Sequence, residues 1–572
     1  MRSNWDDWVS ASKIRNWFRD DPLLDWLDLY GEANGFIPDH KRQGYDPTTD
    51  FGRFIFEKGR QFEAKVIQHL ESKLQIRRLS TPWSGSAQEA WEAWATETDT
   101  LLQDGVQAVY QGAVMDPISR MYGRPGLILR NDVLNSICDE VPEVRGDDHH
   151  YSVIDIKYAG LDLLKKGGIS TTSNRLSQLL VYNRGLAAVQ GTFSPLAYLL
   201  GRTYEWQKVR HESCFAMLAP ARMDDAQLTK SVDMAAVWMR RVRAEGADWQ
   251  VEPEPTLDEL RPNMGNTEDS PWHQAKREIN ESLKDLTSLW YVSAGKRPLG
   301  LNRGISRWDD VKCDPSVFEL PDDRARVLDC ILASQRPEAA LVSPERISTD
   351  RNLWQPRKLI EFYVDFETVS NLDDDFATFP EAGGQPLIFM IGCGHEEGGE
   401  WKFECFIADR LDEASEAHII DAWIEHMSDL AARFGEATPL VFHWSPAETS
   451  SLTNAFNSAR ERHPSAPWPE PNWFDFLGRV ARKEPITIKG ALAFGLKAVA
   501  KAMHSNGLIR ERWEDGPGDG MAAMVGAWRC QAEAVAKDCR LIDLDLMKAI
   551  GNYNEVDCKV MWEIIAYFRA KH

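Results

Sequence analysis

Two carboxylates two residues apart, Asp365 and Glu367, sit in the run LIEFYVDFET at residues 359–368. Tyr363 and Val364 favour extended backbone, and the run has the length of one buried strand. Side chains two apart on a strand share a face, so both acids would point into one solvent pocket or onto one ion. Like charges held that close repel unless a cation lies between them. Mg2+ and Mn2+ prefer such oxygen ligands. A strand that merely turns polar at its end is the plainer alternative. Near the end of the chain, GNYNEVDCKVMWEII places Tyr553 and Asp557 four apart, on one face of a helix predicted over 543–571. Val556, Val560 and Ile564 form a separate apolar stripe for the core. Between these two stretches, a strand predicted at 438–443 carries His443, and Glu448 follows five residues later. In α/β sheets ligands bind outside strand ends, so Glu448 is a further acidic candidate.

The first half of the chain has its own set. The run YSVIDIK at 151–157 reads as a strand, with Asp155 and Lys157 on one face. A plain salt bridge is one reading. A metal-holding Asp155 beside a Lys157 that positions water and supports phosphate charge is the chemical one. Lys165 and Lys166 precede two glycines in a basic loop. Arg175 opens the next helix, where a phosphate would find backbone N–H groups. Gln178 and Tyr182 follow at a spacing of four. Glu63 lies near the apolar face of a helix predicted at 56–74, and Asp132 lies on a strand predicted at 127–134.

The elements that must position these residues belong to a large α/β chain. At 572 residues it exceeds one ordinary core, and its 43% apolar and 27% charged content is that of a folded chain. Strands are predicted at 106–114, 127–134 and 151–157, then at 359–368, 385–394, 401–407 and 438–443. Helices are predicted at 223–244 and 414–434, and near the N-terminus a helix capped at Ser10–Ser12 and reaching Trp17. Three regions follow: residues 1–255, a mainly helical connector at 256–350 with a candidate helix-hairpin-helix turn near Gly300–Ile305, and residues 351–572. A net charge of −22 argues against wrapping duplex DNA by bulk electrostatics. It leaves room for a local basic groove or for phosphate contact through metal ions. The nine Cys lack metal-ligand spacing and read as reduced cytosolic thiols. No apolar run approaches a membrane span, and the N-terminal residues have no apolar signal-peptide core. The expectation is a cytoplasmic protein without a membrane partner.

Taken in order, Glu63, the strand LILRND, the strand VIDIK and the helix QLLVY resemble the RecB-like branch of the PD-(D/E)XK nucleases over roughly residues 50–200. The resemblance implies that Asp155 and a preceding acid, with Glu63, bind a divalent metal, that Lys157 is catalytic, and that Gln178 and Tyr182 orient the site or the nucleic acid. One departure stands out: Gly126 occupies the place of the acid in that family's G-x-x-D pattern, and Asp132 is the nearest substitute. Over residues 355–572, the DxE strand, His443 with Glu448, and YxxxD on the last helix resemble the DEDDy exonucleases of the ribonuclease H-like superfamily. That resemblance implies that Asp365, Glu367 and Asp557 hold two Mg2+ or Mn2+ ions, with Glu448 in support, and that Tyr553 orients the attacking water. Here too there are departures, since the family has Asp where this chain has Glu448 and Asn where it has Trp444. Lys489, Lys497 and Lys501, in the stretch ITIKGALAFGLKAVAKAM, are candidates for a substrate path, with solvated helix lysines as the alternative.

The expectation is a metal-dependent nuclease acting on DNA or RNA. The second half would trim single strands 3'→5' and the first would be a second nuclease site. The rival reading is a non-catalytic nucleic-acid-binding scaffold with decayed sites.

Overall fold

The structure, a computed structural model, describes residues 5–140, 151–170, 174–444, 452–513 and 520–572. The architecture is α/β with mixed sheets. The chain forms two units. The first comprises residues 1–45, 52–283 and 374–384; the second comprises 46–51, 284–373 and 385–572. The expected connector at 256–350 is shared between the units, with 256–283 in the first and 284–350 in the second. Residues 374–384, which leave the second unit's sequence between two of its strands, belong to the first. Asp374 is buried there against Arg202 at 2.5 Å, with the guanidinium over the rings of Phe62, Phe376 and Phe379.

In the first unit a six-stranded sheet is built from β1 (Ile76–Arg78), β2 (Ala108–Tyr110), β3 (Leu127–Arg130), β4 (Tyr151–Ile156), β5 (Leu196–Leu200) and β6 (Ala219–Arg222), in the order β6-β5-β4-β3-β2-β1. β4 runs parallel to β5 and antiparallel to β3. Every residue of β4 is buried, because helices cover both faces. On one face α1 (Phe51–Glu71) packs Phe62, Val66, Ile67 and Leu70 against Leu127, Leu129, Ile154 and Ile156. On the other, α2 (Asn174–Gln190) packs Leu176, Leu179 and Leu186 against Ile128, Val153 and Leu199. The alternation along β3 and β4 thus sorts each strand's residues between two cores.

Three sequence expectations change here. The strand expected at 106–114 is two strands in different sheets, interrupted where Gln111 takes a positive φ of 49°. The strand expected at 127–134 stops at Arg130, and Asn131–Ser136 is a 3-10 turn. At the N-terminus, Val9–Ser10 pairs with Met121–Tyr122 and is followed by 3-10 turns in place of a helix.

The second unit holds a five-stranded sheet: β7 (Glu361–Val369), β8 (Leu387–Glu397), β9 (Glu400–Ile407), β10 (Leu440–His443) and β11 (Trp473–Asp475), in the order β9-β8-β7-β10-β11. The first three form an antiparallel meander; β10 and β11 join β7 in parallel. β7, the strand with both acids, is therefore central. One face carries α3 (Glu413–Phe434) and α4 (Leu452–Arg462), where Phe366 meets Trp423 and Trp473 edge-on. The other carries α5 (Leu496–Ser505), α6 (Gly520–Lys537) and α7 (Asp545–Lys571). There Val560, Ile564 and Phe568 pack with Tyr363, Phe442 and Phe474. Arg569 of α7 anchors the start of β7 through two bonds to Glu361, at 2.7 and 2.8 Å.

The helix-hairpin-helix expectation is corrected. A five-residue helix, Arg297–Leu301, precedes Gly304, but the next helical segment is the short 3-10 turn Pro315–Phe318. Two helices cannot flank that loop.

Candidate functional site

The α7-facing side of β7 gathers the acids. Asp365 and Glu367 alternate with Phe366, which faces the opposite core, so both carboxylates turn toward α7. Asp557 reaches them from α7, although it lies 190 residues away in sequence. One oxygen from each of the three lies within 4.8 Å of the others, and this is the one such His/Cys/Asp/Glu group among the described residues. Glu367 and Asp557 are 7% and 8% exposed. A register shift between Glu367 and Thr368 bends β7 just past the pair.

The electrostatics follow from this crowding. Burial raises the Asp365 carboxyl from its usual range to about 7, against a pull from the backbone N–H of Phe366. Burial, then the charges of Asp365 and Asp557, push Glu367 well above the carboxylate range; Asn554 and Lys497 pull the other way. Asp557 is raised by burial and by Asp365, and is opposed by Lys497, Trp513 and Tyr553. Without a cation, these groups therefore hold protons that ordinary carboxylates lose. Three hard oxygen donors with raised proton affinity suit Mg2+ or Mn2+, since a divalent ion would replace the protons and relieve the repulsion. The residues fit such a group.

Around the acids, Lys497 of α5 sits 4.8 Å above the Tyr553 ring, so the tyrosine and an ammonium flank Asp557 together. Asn554 of α7 is fully buried and donates to Asp365 at 3.2 Å and Glu367 at 3.4 Å. No motif of the sequence marks it. The available signal was its place beside Tyr553 and three residues before Asp557, on the same helical face. Gly392 and Gly394 alternate in an apolar strand. Such glycines mark close approach by another group, and here Asn554 and Trp401 fill the spaces their side chains would take.

Other expected participants lie elsewhere. Glu448 falls outside the described residues. His443 follows Phe442, whose ring stacks on Tyr363 on the α7 side. Strand alternation turns His443 to the opposite face, beside Asp475 and edge-on to Trp473. Burial lowers its pKa. Its expected role in substrate binding at the acids is therefore corrected. Lys489 follows a two-residue strand and donates to the carbonyl of Pro337 at 2.7 Å. Trp444 donates to the carbonyl of Phe494 at 2.9 Å and stacks on Phe476.

The first unit brings its own set together. Lys157 pairs with Asp155 at 2.8 Å and donates to Gln178 at 3.2 Å. Glu63 accepts from Gln111 at 3.0 Å; burial raises its pKa, and the Asp155 charge adds to this. The buried Tyr182 hydroxyl is raised for the same reasons, by burial and then by Asp155 and Glu63. Burial lowers Arg175, with Asp155 and Asp162 opposing. Glu63, Asp155, Lys157, Arg175, Gln178 and Tyr182 thus share one neighbourhood. Asp132 does not join it. The strand has ended before it, and its exposed carboxylate accepts from Arg130 at 2.7 and 2.9 Å. Lys165 and Lys166 are exposed on their loop. Since Leu127 pairs with Ile154 in antiparallel register, Gly126 stands across from Asp155, and this position supplies no carboxylate.

No family model matches this chain, and no curated protein matches it. Among the described residues no helix is long and apolar enough to cross a membrane.

Proposed function

We propose that this chain is a divalent-metal-dependent nuclease that hydrolyses phosphodiester bonds, with its cutting centre in the second unit. The observation that carries the reading is the convergence of Asp365, Glu367 and Asp557, from a central strand and the last helix, into one cluster of oxygens, with Glu367 and Asp557 buried and Asp365 partly so. Buried like charges are costly, and a structure that brings three together gains most from a bound cation. A pair of Mg2+ or Mn2+ ions would supply an activated water and stabilise both the attacked phosphate and the leaving oxygen. Asp365, Glu367 and Asp557 are the residues that would hold them. Tyr553 would orient the water, and the Lys497 ammonium beside it would offset charge gathering on the phosphate.

The motif resemblance narrows the proposal. On that resemblance the second unit is a ribonuclease H-like DEDDy exonuclease acting 3'→5' on single-stranded DNA or RNA. The first unit is a RecB-like PD-(D/E)XK domain. For the first unit a second reading has its own support. With Gly126 across from Asp155, Asp132 engaged by Arg130, and Lys157 paired with Asp155, that site is short of acidic ligands. It would then grip a strand without cutting it.

The deciding assay is nucleotide release from end-labelled single- and double-stranded DNA and RNA, with Mn2+ and with EDTA. Activity that needs the metal and disappears in Asp365→Ala and Asp557→Ala is the expected result. Unchanged activity in both variants would reject the assignment.

A further inference from the structure

Asn554 does something at the acid cluster that neither a metal ligand nor an ordinary core residue does. The Asn554 amide turns its NH2 group toward Asp365 and Glu367 and donates to an oxygen of each. That fixes the other end. The Asn554 carbonyl oxygen points away from the acids, is buried, and has no hydrogen-bond partner. Leaving such an oxygen unsatisfied costs free energy, and an isosteric apolar residue at this position would avoid the cost. The orientation therefore serves the acids.

The neighbouring strand is shaped for the same purpose. Gly392 lies directly across from Asp365 in the antiparallel pair, so a side chain there would project on the acids' face. A methyl group on Gly392 would fall within 1.8 Å of the Asn554 carbonyl oxygen. The absence of a side chain at 392 makes the space that the amide occupies. A residue on α7 and a gap on β8 thus form one device, and the device contacts two of the three acids.

We infer that Asn554 is a positioning residue for a divalent cation: it holds one oxygen each of Asp365 and Glu367 and so fixes the two carboxylates where they converge with Asp557, and Gly392 is the vacancy that admits it. This rests on the metal-centre reading above. Neighbours that orient metal ligands in this way typically account for roughly 10- to 100-fold in metal affinity.

The test is Mn2+ titration of the full-length protein by calorimetry, with metal-free unfolding followed by circular dichroism for each variant. Asn554→Leu keeps the volume and removes both donors; it is expected to weaken Mn2+ binding by roughly 10- to 100-fold. Gly392→Ala, which displaces the amide from the neighbouring strand, is expected to do the same while leaving every hydrogen-bonding group in place. In an Asn554→Ala background there is no amide to displace, so adding Gly392→Ala is expected to cause no further loss. A purely structural role would lower the unfolding temperature without this pattern in Mn2+ affinity. Asn554→Leu binding Mn2+ as tightly as the parent, or Gly392→Ala weakening it equally in both backgrounds, would overturn the inference alone. A parent protein that takes up no Mn2+ removable by Glu367→Gln would overturn it together with the metal-centre reading.

Discussion

Neutralising Glu367 is expected to make the metal-free protein more stable, although the residue is buried and central. Glu367 is raised by both Asp365 and Asp557, with oxygens of the three within 4.8 Å. At that distance a fully ionised pair repels by about 3.5 kcal/mol at an effective dielectric constant of about 20. Protons taken up from solvent limit what is felt, and Asp365 keeps part of its access to water. A working figure for Glu367→Gln at pH 8 is about 2 kcal/mol of added stability, roughly 3–6 °C in the unfolding midpoint. The pH dependence has a definite sign. Carboxyls raised in the folded protein bind more protons than in the unfolded chain, so stability falls as pH rises from the unfolded value near 4 through the folded one. For Asp365 that window runs from 3.8 to about 7. The advantage of Glu367→Gln should therefore shrink to under about 1 kcal/mol at pH 5. Saturating Mn2+ should reverse the order. The parent gains about 2.7 kcal/mol at a hundred times its dissociation constant, and the variant gains little. Thermal melts of both proteins at pH 5 and 8, with EDTA or Mn2+, measure all four quantities. A variant less stable than its parent in EDTA at pH 8, or a parent whose midpoint ignores Mn2+, would refute the reasoning.

Four further outcomes are expected. Lys497→Met should slow cleavage by roughly 100-fold in kcat/KM if its ammonium offsets phosphate charge, and should lower metal-free stability more at pH 8 than at pH 5. Arg569→Ala strands the buried Glu361 carboxylate and should cost about 3–5 kcal/mol in denaturant unfolding of the second unit. Lys276→Ala should cost a similar ~3–5 kcal/mol in the first unit, because the fully buried ammonium sits between Asp21 at 3.0 Å and Asp269 at 2.5 Å; Mn2+ binding by the second unit should not change. Lys157→Ala should leave metal-dependent nucleotide release intact while weakening capture of single strands in a filter-binding assay.

What the sequence determined by itself is local and periodic. A period of two placed Asp365 beside Glu367, and one of about four placed Tyr553 above Asp557, because backbone geometry alone sets those relations. The apolar stripe of Val560 and Ile564 was legible for the same reason, as were the strands at 361–369, 387–397 and 400–407. Tertiary structure decided the rest. That β10 joins β7 in parallel turns His443 away from the acids, which no spacing within 438–448 could reveal. That β3 stops at Arg130, so that Asp132 falls in a turn and pairs with Arg130, is likewise not written in the alternation of LILRND. Segment 374–384 belongs to the first unit because Asp374 finds its buried partner, Arg202, there. Asn554 had an unremarkable place in the sequence. Its role exists only because a glycine 162 positions earlier leaves a space the width of one amide, and chain-distant complementarity of that kind has no period to read.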